Sequence, residues 1–523
     1  MNLGRLLTHT ARLYPNHPAL LQGDNQWTWS QINARVDAMV IALRELGLQK
    51  GDKILMQSRN NLQTFEFCWV AFKSACVWVP TNFRLTPPEV AYLGASSQAV
   101  AMVVEDIFSA HTDAVLAEST TLKRIIAIGT PRVGELSYED LIGRHLGQSA
   151  HEVNVAYDDP LWFFYTSGTT GKPKAGILSH GQMAFVVNNH LADLIPGTTE
   201  KDCSIAVAPL SHGAGIHALL NVARGAATIL MPSEKFDPEN FWQLVEQYKV
   251  SNLFTVPTIV KMLVEHPSVD QYDHSSLRYV IYAGAPMYRA DQKRALQKLG
   301  KVLVQYFGLG EVTGNITVLP PDMHSADDND PNANIGSCGR PRVGMEVAIL
   351  DSNCEPVPTG EIGEICCRGP AVFAGYFGNE EATTKALRAG WFHTGDLGKL
   401  DDRGLLYITG RESDMYISGG SNVYPREIEE VLLTHPCVAE IAILGIPDEK
   451  WGEVGVAVVV LREHAKNSIS AQDLLGHLEG RCAKYRWPRQ FVFWDVMPKS
   501  GYGKIVKKDL KRLLIERNEI QAS

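Results

Sequence analysis

A chain of 523 residues is longer than one hydrophobic core usually serves, and with 45% hydrophobic residues it can fill two or more domains. Forty-nine Lys and Arg against 58 Asp and Glu leave a formal charge of −9, which argues against general nucleic-acid binding and a membrane-surface role while leaving room for local basic patches. Nine cysteines, odd in number and scattered from Cys68 to Cys482, follow no disulfide or zinc spacing and read as reduced thiols of a cytoplasmic protein.

Residues 1–20 contain no apolar stretch of the signal-peptide kind, and no later run approaches membrane-spanning length, so neither secretion nor a transmembrane anchor is expected. The spacing of Ile32, Val36, Met39, Val40, Leu43 and Leu46 predicts an amphipathic helix over 30–46, with Ser30 as its cap and Gly47 past its end. A strand at 53–57 follows. Helix then strand recurs at 62–75 and 77–80, and again at 241–248 and 252–256, which is α/β organisation.

Residues 165–176, YTSGTTGKPKAG, resemble a Walker phosphate loop but break its rules. The glycine required five positions before Gly171, with four residues between, is Thr166, and the residue after Lys172 is Pro173, not Ser or Thr. Apolar runs at 161–165 and 175–178 flank the loop and predict two strands, with Ser179 capping a helix from His180. The loop is still dense in anion ligands: hydroxyls at Thr166, Ser167, Thr169 and Thr170, close backbone approach at Gly168 and Gly171, and charge at Lys172 and Lys174. A solvated surface turn is the plain alternative, and phosphate binding is the better account of so long and mixed a run.

After Gly410 the character of the chain changes. A turn at Gly419-Gly420 precedes a helix opened by Pro425 with Glu427, Glu429 and Glu430 in its first turns, then β-rich runs at 438–444 and 454–461. Lys484, Arg486, Arg489, Lys499, Lys504, Lys507, Lys508, Lys511 and Arg512 give this last part a basic side. The boundary falls at 411–414. The expectation is an α/β protein with a large multi-sheet N-terminal domain, 1–412, and a smaller mobile α+β domain, 413–523, hinged at Ser413.

Four more stretches follow in order: YAGAP (282–286), QYFGLGE (305–311), GWFHTGDLG (390–398) with GRESDMYISGGSNVYPREIE (410–429), and PKSGYGKI (498–505). With the phosphate loop they resemble the adenylate-forming superfamily, which includes acyl-CoA synthetases, firefly luciferase and the adenylation domains of nonribosomal peptide synthetases. The likeness covers nearly the whole chain. It implies that 166–174 wrap the ATP phosphates, that Gly284, Ala285 and Pro286 border the adenine, and that Phe307 stacks on it with Gly308 beside it. It further implies Glu311 as the magnesium position, Asp396 and Arg411 as ribose contacts, and Lys504 as the lysine bridging the reacting carboxylate and phosphate; Thr166, Glu311 and Lys504 form the catalytic set. By themselves Asp396 could be a turn aspartate, Arg411 a boundary ion-pair residue, Glu311 a helix-end acid and Lys504 a solvated lysine.

The chemistry suits those residue types. A carboxylic acid of pKa ~4 is ionised at neutral pH and attacks phosphorus without a general base. What the step needs is neutralisation of the charge that gathers on the phosphoryl oxygens, which one lysine and Mg2+ supply.

Two positions depart from the resemblance: Gly310 stands where the family has Thr, and Ser413 where it has Lys or Asp. The resemblance also implies that rotation about Ser413 withdraws Lys504 and brings Gly419-Gly420 up to form a pantetheine tunnel, with Lys484 and Arg486 near the CoA phosphates. His212 reads either as a satisfied core histidine or as an acyl-pocket gate, with Gly213, Ala214, Gly215 and Gly308 leaving space for an acid larger than acetate. The expected activity is an ATP-dependent acid–CoA ligase forming acyl-AMP and then acyl-CoA, first for a medium- or long-chain fatty acid. An aryl acid of the hydroxycinnamate or benzoate kind, or an acyl-AMP ligase loading a carrier protein, are the alternatives, and a non-catalytic ATP-binding module is the reading from another class. The partners are ATP, CoA and the acid; a homodimer is left open.

Overall fold

The computed structural model describes residues 1–166, 172–232, 236–285, 287–411, 414–418, 421–466, 468–499 and 505–520. Among these, the strands form four sheets. Three belong to the large N-terminal part and one to the smaller C-terminal part, giving the mixed α/β architecture expected.

The first large sheet runs Leu136–Ser137, Arg124–Ile128, Ala101–Glu105, Lys53–Gln57, Val77–Pro80, Pro160–Thr166 and Lys174–Ser179. All its neighbours pair parallel except the last two, which form an antiparallel hairpin. A second large sheet carries Cys203–Ala206, Asn252–Thr255, Tyr279–Tyr282 and Leu303–Phe307 side by side and parallel. Their buried Val, Ile, Leu and Phe side chains are what a sheet covered on both faces demands. One apolar cluster joins the two sheets through Trp78, Trp162, Phe164, Phe254 and Tyr306, with Trp78 and Trp162 at 4.4 Å between ring centres. A third sheet pairs Glu346–Leu350, Gly363–Arg368, Trp391–Leu400 and Leu406–Arg411 antiparallel.

The helix predicted over 30–46 is Trp29–Glu45, and its cap is Thr28 rather than Ser30. Thr28 Oγ1 accepts from the Gln31 amide at 3.3 Å while Gln31 Oε1 accepts from the Thr28 amide at 2.8 Å. A reciprocal box needs Glu or Gln three residues after the cap, a condition Thr28 meets.

In the C-terminal part Val438–Asp448 and Gly452–Leu461 form a long antiparallel hairpin, with Gln490–Trp494 parallel on its far edge. Helices Pro425–Leu433 and Ala471–Leu478 bury Ile428, Leu432, Leu474 and Leu478 on one face of that sheet, and Lys507–Glu516 buries Leu510 and Leu514 on the other. Pro425 opens its helix as predicted. The acids of that helix act mainly as partners: Glu429 accepts from the Ile443 amide at 2.7 Å and pairs with Lys507 at 3.1 Å, and Glu430 pairs with Arg426 at 3.0 Å. No helix among the described residues is long and apolar enough to cross a membrane.

Candidate active site

The phosphate loop joins two antiparallel strands, as its flanking apolar runs predicted. Thr166 stands opposite Lys174 at the loop end of the hairpin. Ser179 caps helix His180–Asp193 through a capping box, its Oγ accepting from the Gln182 amide at 3.2 Å. A Walker loop opens into its helix; here a strand intervenes. Ser167, Gly168, Thr169, Thr170 and Gly171 lie outside the described residues, as do Pro286, Ser413, Gly419, Gly420 and Lys504.

Glu311 sits on a short 3-10 turn, Gly310–Val312, beyond the end of strand Leu303–Phe307, and is 5% exposed. Its Oε1 accepts two hydroxyl hydrogen bonds, from Thr166 Oγ1 at 3.0 Å and from Tyr376 OH at 2.8 Å. Its Oε2 is buried and has no hydrogen-bond partner among the described residues. An acceptor left bare in this way is costly unless something fills it, and a hard, oxygen-seeking cation such as Mg2+ fits that donor set.

Tyr376 was not anticipated from the sequence. It comes from a segment that adds to the hairpin's outer edge: Ile177 donates to the Gly375 carbonyl at 2.9 Å, Ala374 to Ile177 at 3.1 Å, and Phe377 to Ala175 at 2.9 Å. The Phe373 amide also donates to the Glu311 carbonyl at 2.8 Å. Burial, and after it the Glu311 charge, push the Tyr376 phenol far above its ordinary range, so it remains a donor. The ammonium of Lys174 lies 5.2 Å from the centre of the Tyr376 ring, and that of Lys172 lies 5.0 Å from the Tyr92 ring. Both lysines that the sequence offered to phosphates are thus held against tyrosines. Neither tyrosine sits in a pattern that would have singled it out.

Beside Thr166, a Cβ on Gly310 would come 2.6 Å from Phe164 and 2.7 Å from the Thr166 methyl. The place of the family's threonine is therefore filled by an aromatic ring. The same ring lies 4.8 Å from that of His212, which precedes helix Gly213–Arg224. The space expected behind His212 is taken on one side: a Cβ on Gly213 would meet Phe254 at 2.6 Å, and one on Gly215 would meet the Leu210 carbonyl at 1.9 Å. Ala214 is buried. At Gly308 a Cβ would lie 2.6 Å from the Gly314 Cα, so this glycine serves close backbone packing. Phe254 and Tyr306 stack nearly parallel at 5.8 Å, which makes the surroundings strongly aromatic.

Tyr282 and Phe307 end parallel neighbouring strands, so Gly284, Ala285 and Phe307 gather at the carboxyl edge of one sheet, where open α/β sheets place ligands. Gly284 and Ala285 are exposed and Phe307 is half-buried; Gly284 has φ +81°, a conformation that favours glycine.

Asp396 and Arg411 are direct cross-strand partners, and Arg411 Nε donates to Asp396 Oδ1 at 3.1 Å. Asp396 is buried and Arg411 exposed. The turn before Asp396 is pinned by Glu364, which accepts from the Gly395 amide at 3.0 Å, from His393 Nδ1 at 2.7 Å and from Arg388 at 2.9 Å. Cys366 Sγ lies 3.2 Å from the same His393 nitrogen, so Glu364, Cys366 and His393 form a metal-type cluster that the sequence spacing concealed. Glu364 is already engaged by three donors, and the cluster works as a hydrogen-bonded brace.

In the C-terminal part Arg486 pairs with Glu427, and Lys484 lies 5.8 Å from the Trp487 ring centre. The charge of Arg486 is thereby partly offset.

A model of the AMP-binding enzyme family matches residues 7–377, and a model of the AMP-binding enzyme C-terminal domain matches 427–504. A feruloyl-CoA synthase from an Amycolatopsis species is 35% identical over 512 residues, 98% of each chain. A long-chain-fatty-acid–CoA ligase of Mycobacterium tuberculosis is 32% identical over 516 residues, again 98% of each. Among solved structures, an anthranilate CoA ligase in complex with anthranoyl-AMP superposes with a TM-score of 0.89 at 25% identity, covering 99% of this chain and 98% of that one. With the phosphate-loop hairpin joined to the Glu311 carboxylate through Thr166, with Asp396 and Arg411 paired across two strands, and with a family model spanning well over half its length, the chain belongs to the AMP-binding enzymes, the adenylate-forming superfamily, on its acyl-CoA synthetase branch.

Proposed function

We propose that the protein is an ATP-dependent acid–CoA ligase acting on an aromatic carboxylic acid. The carboxylate oxygen attacks the α-phosphorus of ATP, pyrophosphate leaves, and the acyl-adenylate forms; the CoA thiol then attacks the acyl carbon and AMP departs. The observation that carries this reading is the Glu311 carboxylate, whose Oε1 is held by Thr166 and Tyr376 while its buried Oε2 has no partner among the described residues.

Thr166 through Lys174 serve as the phosphate clamp, and Asp396 with Arg411 as the ribose contacts. Glu311 would hold Mg2+, which when bound supplies charge neutralisation on the phosphates. Gly284, Ala285, Pro286 and Phe307 border the adenine. Lys504 inserts its ammonium beside the α-phosphate in one orientation of the C-terminal domain, 413–523. Rotation about Ser413 then replaces it with the Gly419-Gly420 turn, with Lys484 and Arg486 near CoA.

An aryl acid is supported by the 35% likeness to a feruloyl-CoA synthase and is compatible with the aromatic packing beside His212, whose ring lies 4.8 Å from that of Phe164. A medium- or long-chain fatty acid is the second reading, favoured by the 32% likeness to the mycobacterial long-chain ligase. The test is incubation with ATP, Mg2+, CoA and a panel of hydroxycinnamates, benzoates and saturated acids. AMP and acyl-CoA formed best from an aryl acid support the proposal. The same products formed best from a fatty acid select the second reading, and acyl-AMP that never passes to CoA overturns the ligase assignment.

A further inference from the structure

Glu311 has two oxygens and, in the arrangement described, two hydroxyl donors on the same one. Thr166 Oγ1 carries a single proton. If Thr166 turns that proton to an ATP phosphate, as its place at the mouth of the loop requires, it can no longer hold Glu311. Tyr376 then becomes the hydroxyl that keeps Oε1 engaged and leaves Oε2 available. The ring that carries this hydroxyl also underlies Lys174, at 5.2 Å, and its backbone is fixed both by the bridge to Gly176 on the hairpin edge and by the Tyr376 amide donating to Thr383 Oγ1 at 2.9 Å.

We propose that Tyr376 is a positioning residue for adenylation: its hydroxyl orients the Glu311 carboxylate toward the metal while releasing Thr166 for phosphate, and its ring steadies Lys174. This rests on the reading of Glu311 as the metal carboxylate. Two separable functions thus meet in one side chain. Removing only the oxygen should loosen the metal, whereas removing the ring should also weaken the grip on the triphosphate.

The test uses the full-length protein and Mn2+ as a spin probe in the presence of ATP. Tyr376→Phe is expected to weaken Mn2+ binding, read by electron paramagnetic resonance, by about tenfold, the scale seen when a group that orients a metal ligand is lost. The Mg2+ concentration for half-maximal pyrophosphate exchange should rise in parallel, with KM for CoA and the thermal midpoint close to wild type. Tyr376→Leu should in addition raise KM for ATP beyond the Tyr376→Phe value. Glu311→Gln is the reference. If Glu311→Gln weakens Mn2+ binding and Tyr376→Phe leaves it unchanged, the inference about Tyr376 fails alone. Should Glu311→Gln itself leave Mn2+ binding unchanged, the metal reading fails and this inference with it. A Tyr376→Phe variant that shifts KM for CoA and for Mg2+ equally would mark a merely structural role and overturn the proposal.

Discussion

The Arg411 guanidinium and the Asp396 carboxylate face each other across two antiparallel strands, Nε donating to Oδ1 at 3.1 Å. Arg411 is 47% exposed at its side chain and Asp396 9%, so the pair straddles the boundary between interior and surface. A half-exposed pair of this kind, screened by solvent, contributes about 1 kcal/mol or less to stability. The geometry presents Asp396 with one oxygen oriented by arginine and its backbone fixed by the braced turn.

Asp396→Asn keeps the shape of the side chain but loses its charge and turns one of its two acceptor oxygens into a donor. KM for ATP should rise about tenfold or more, with the thermal midpoint little changed. Arg411→Ala should raise it less, and the double variant should fall short of the product of the two effects because the residues are in contact. A KM for ATP within twofold of wild type in Asp396→Asn would remove Asp396 from the ribose site.

Lys504→Ala separates the two half-reactions. Loss of a positioned cation at the developing charge should cost on the order of 3 kcal/mol in adenylation, a slowing of more than a hundredfold. Thioester formation from supplied acyl-adenylate should remain largely intact. Equal losses in both half-reactions would contradict the rotation of the C-terminal domain.

Phe164 occupies the volume a side chain at 310 would need. Gly310→Thr alone should therefore destabilise the protein by about 1–3 kcal/mol, read as a lower urea midpoint. Pairing it with Phe164→Val should recover most of that loss, because the ring is what the new side chain meets. Failure of the second substitution to rescue the first would show that the strain arises elsewhere, at the Thr166 methyl.

Burial pushes His180, His217 and His324 each down from 6.5 to about 4. His180 Nδ1 accepts from the Leu3 amide at 3.1 Å, which fixes its neutral form further. The unfolded chain takes up these protons near pH 6.5 and the folded chain only near 4, so stability is full above 6.5 and falls as the pH drops toward 4. Each histidine contributes up to about 3 kcal/mol over that window. The thermal midpoint should be level from pH 8 to 7 and decline between about 6.5 and 4. A midpoint that stays flat down to pH 5 would contradict this assignment.

Much of the local architecture was legible in residue order. The Ser179 cap with Gln182 three residues on, the apolar runs flanking the phosphate loop and the proline opening the helix at 425 each rest on interactions within a few residues, so pattern alone predicts them. The ordered motifs carried the superfamily in the same way.

What the linear pattern did not contain was which distant side chains would share an atom. Tyr376 reaches Glu311 from 65 residues away, and Phe164 fills the place over Gly310 from across two sheets. The facing of Asp396 and Arg411 depends on a register shift between Leu397 and Gly398 that moves every pair beyond it. Short-range spacing thus determined many of the elements, and the ordered motifs, through the family they resemble, pointed to the class of chemistry. The folded chain alone decided which carboxylate oxygen is held and which is left bare, because hydrogen-bond partnership over such separations is set by sheet register and core packing and not by neighbours along the backbone.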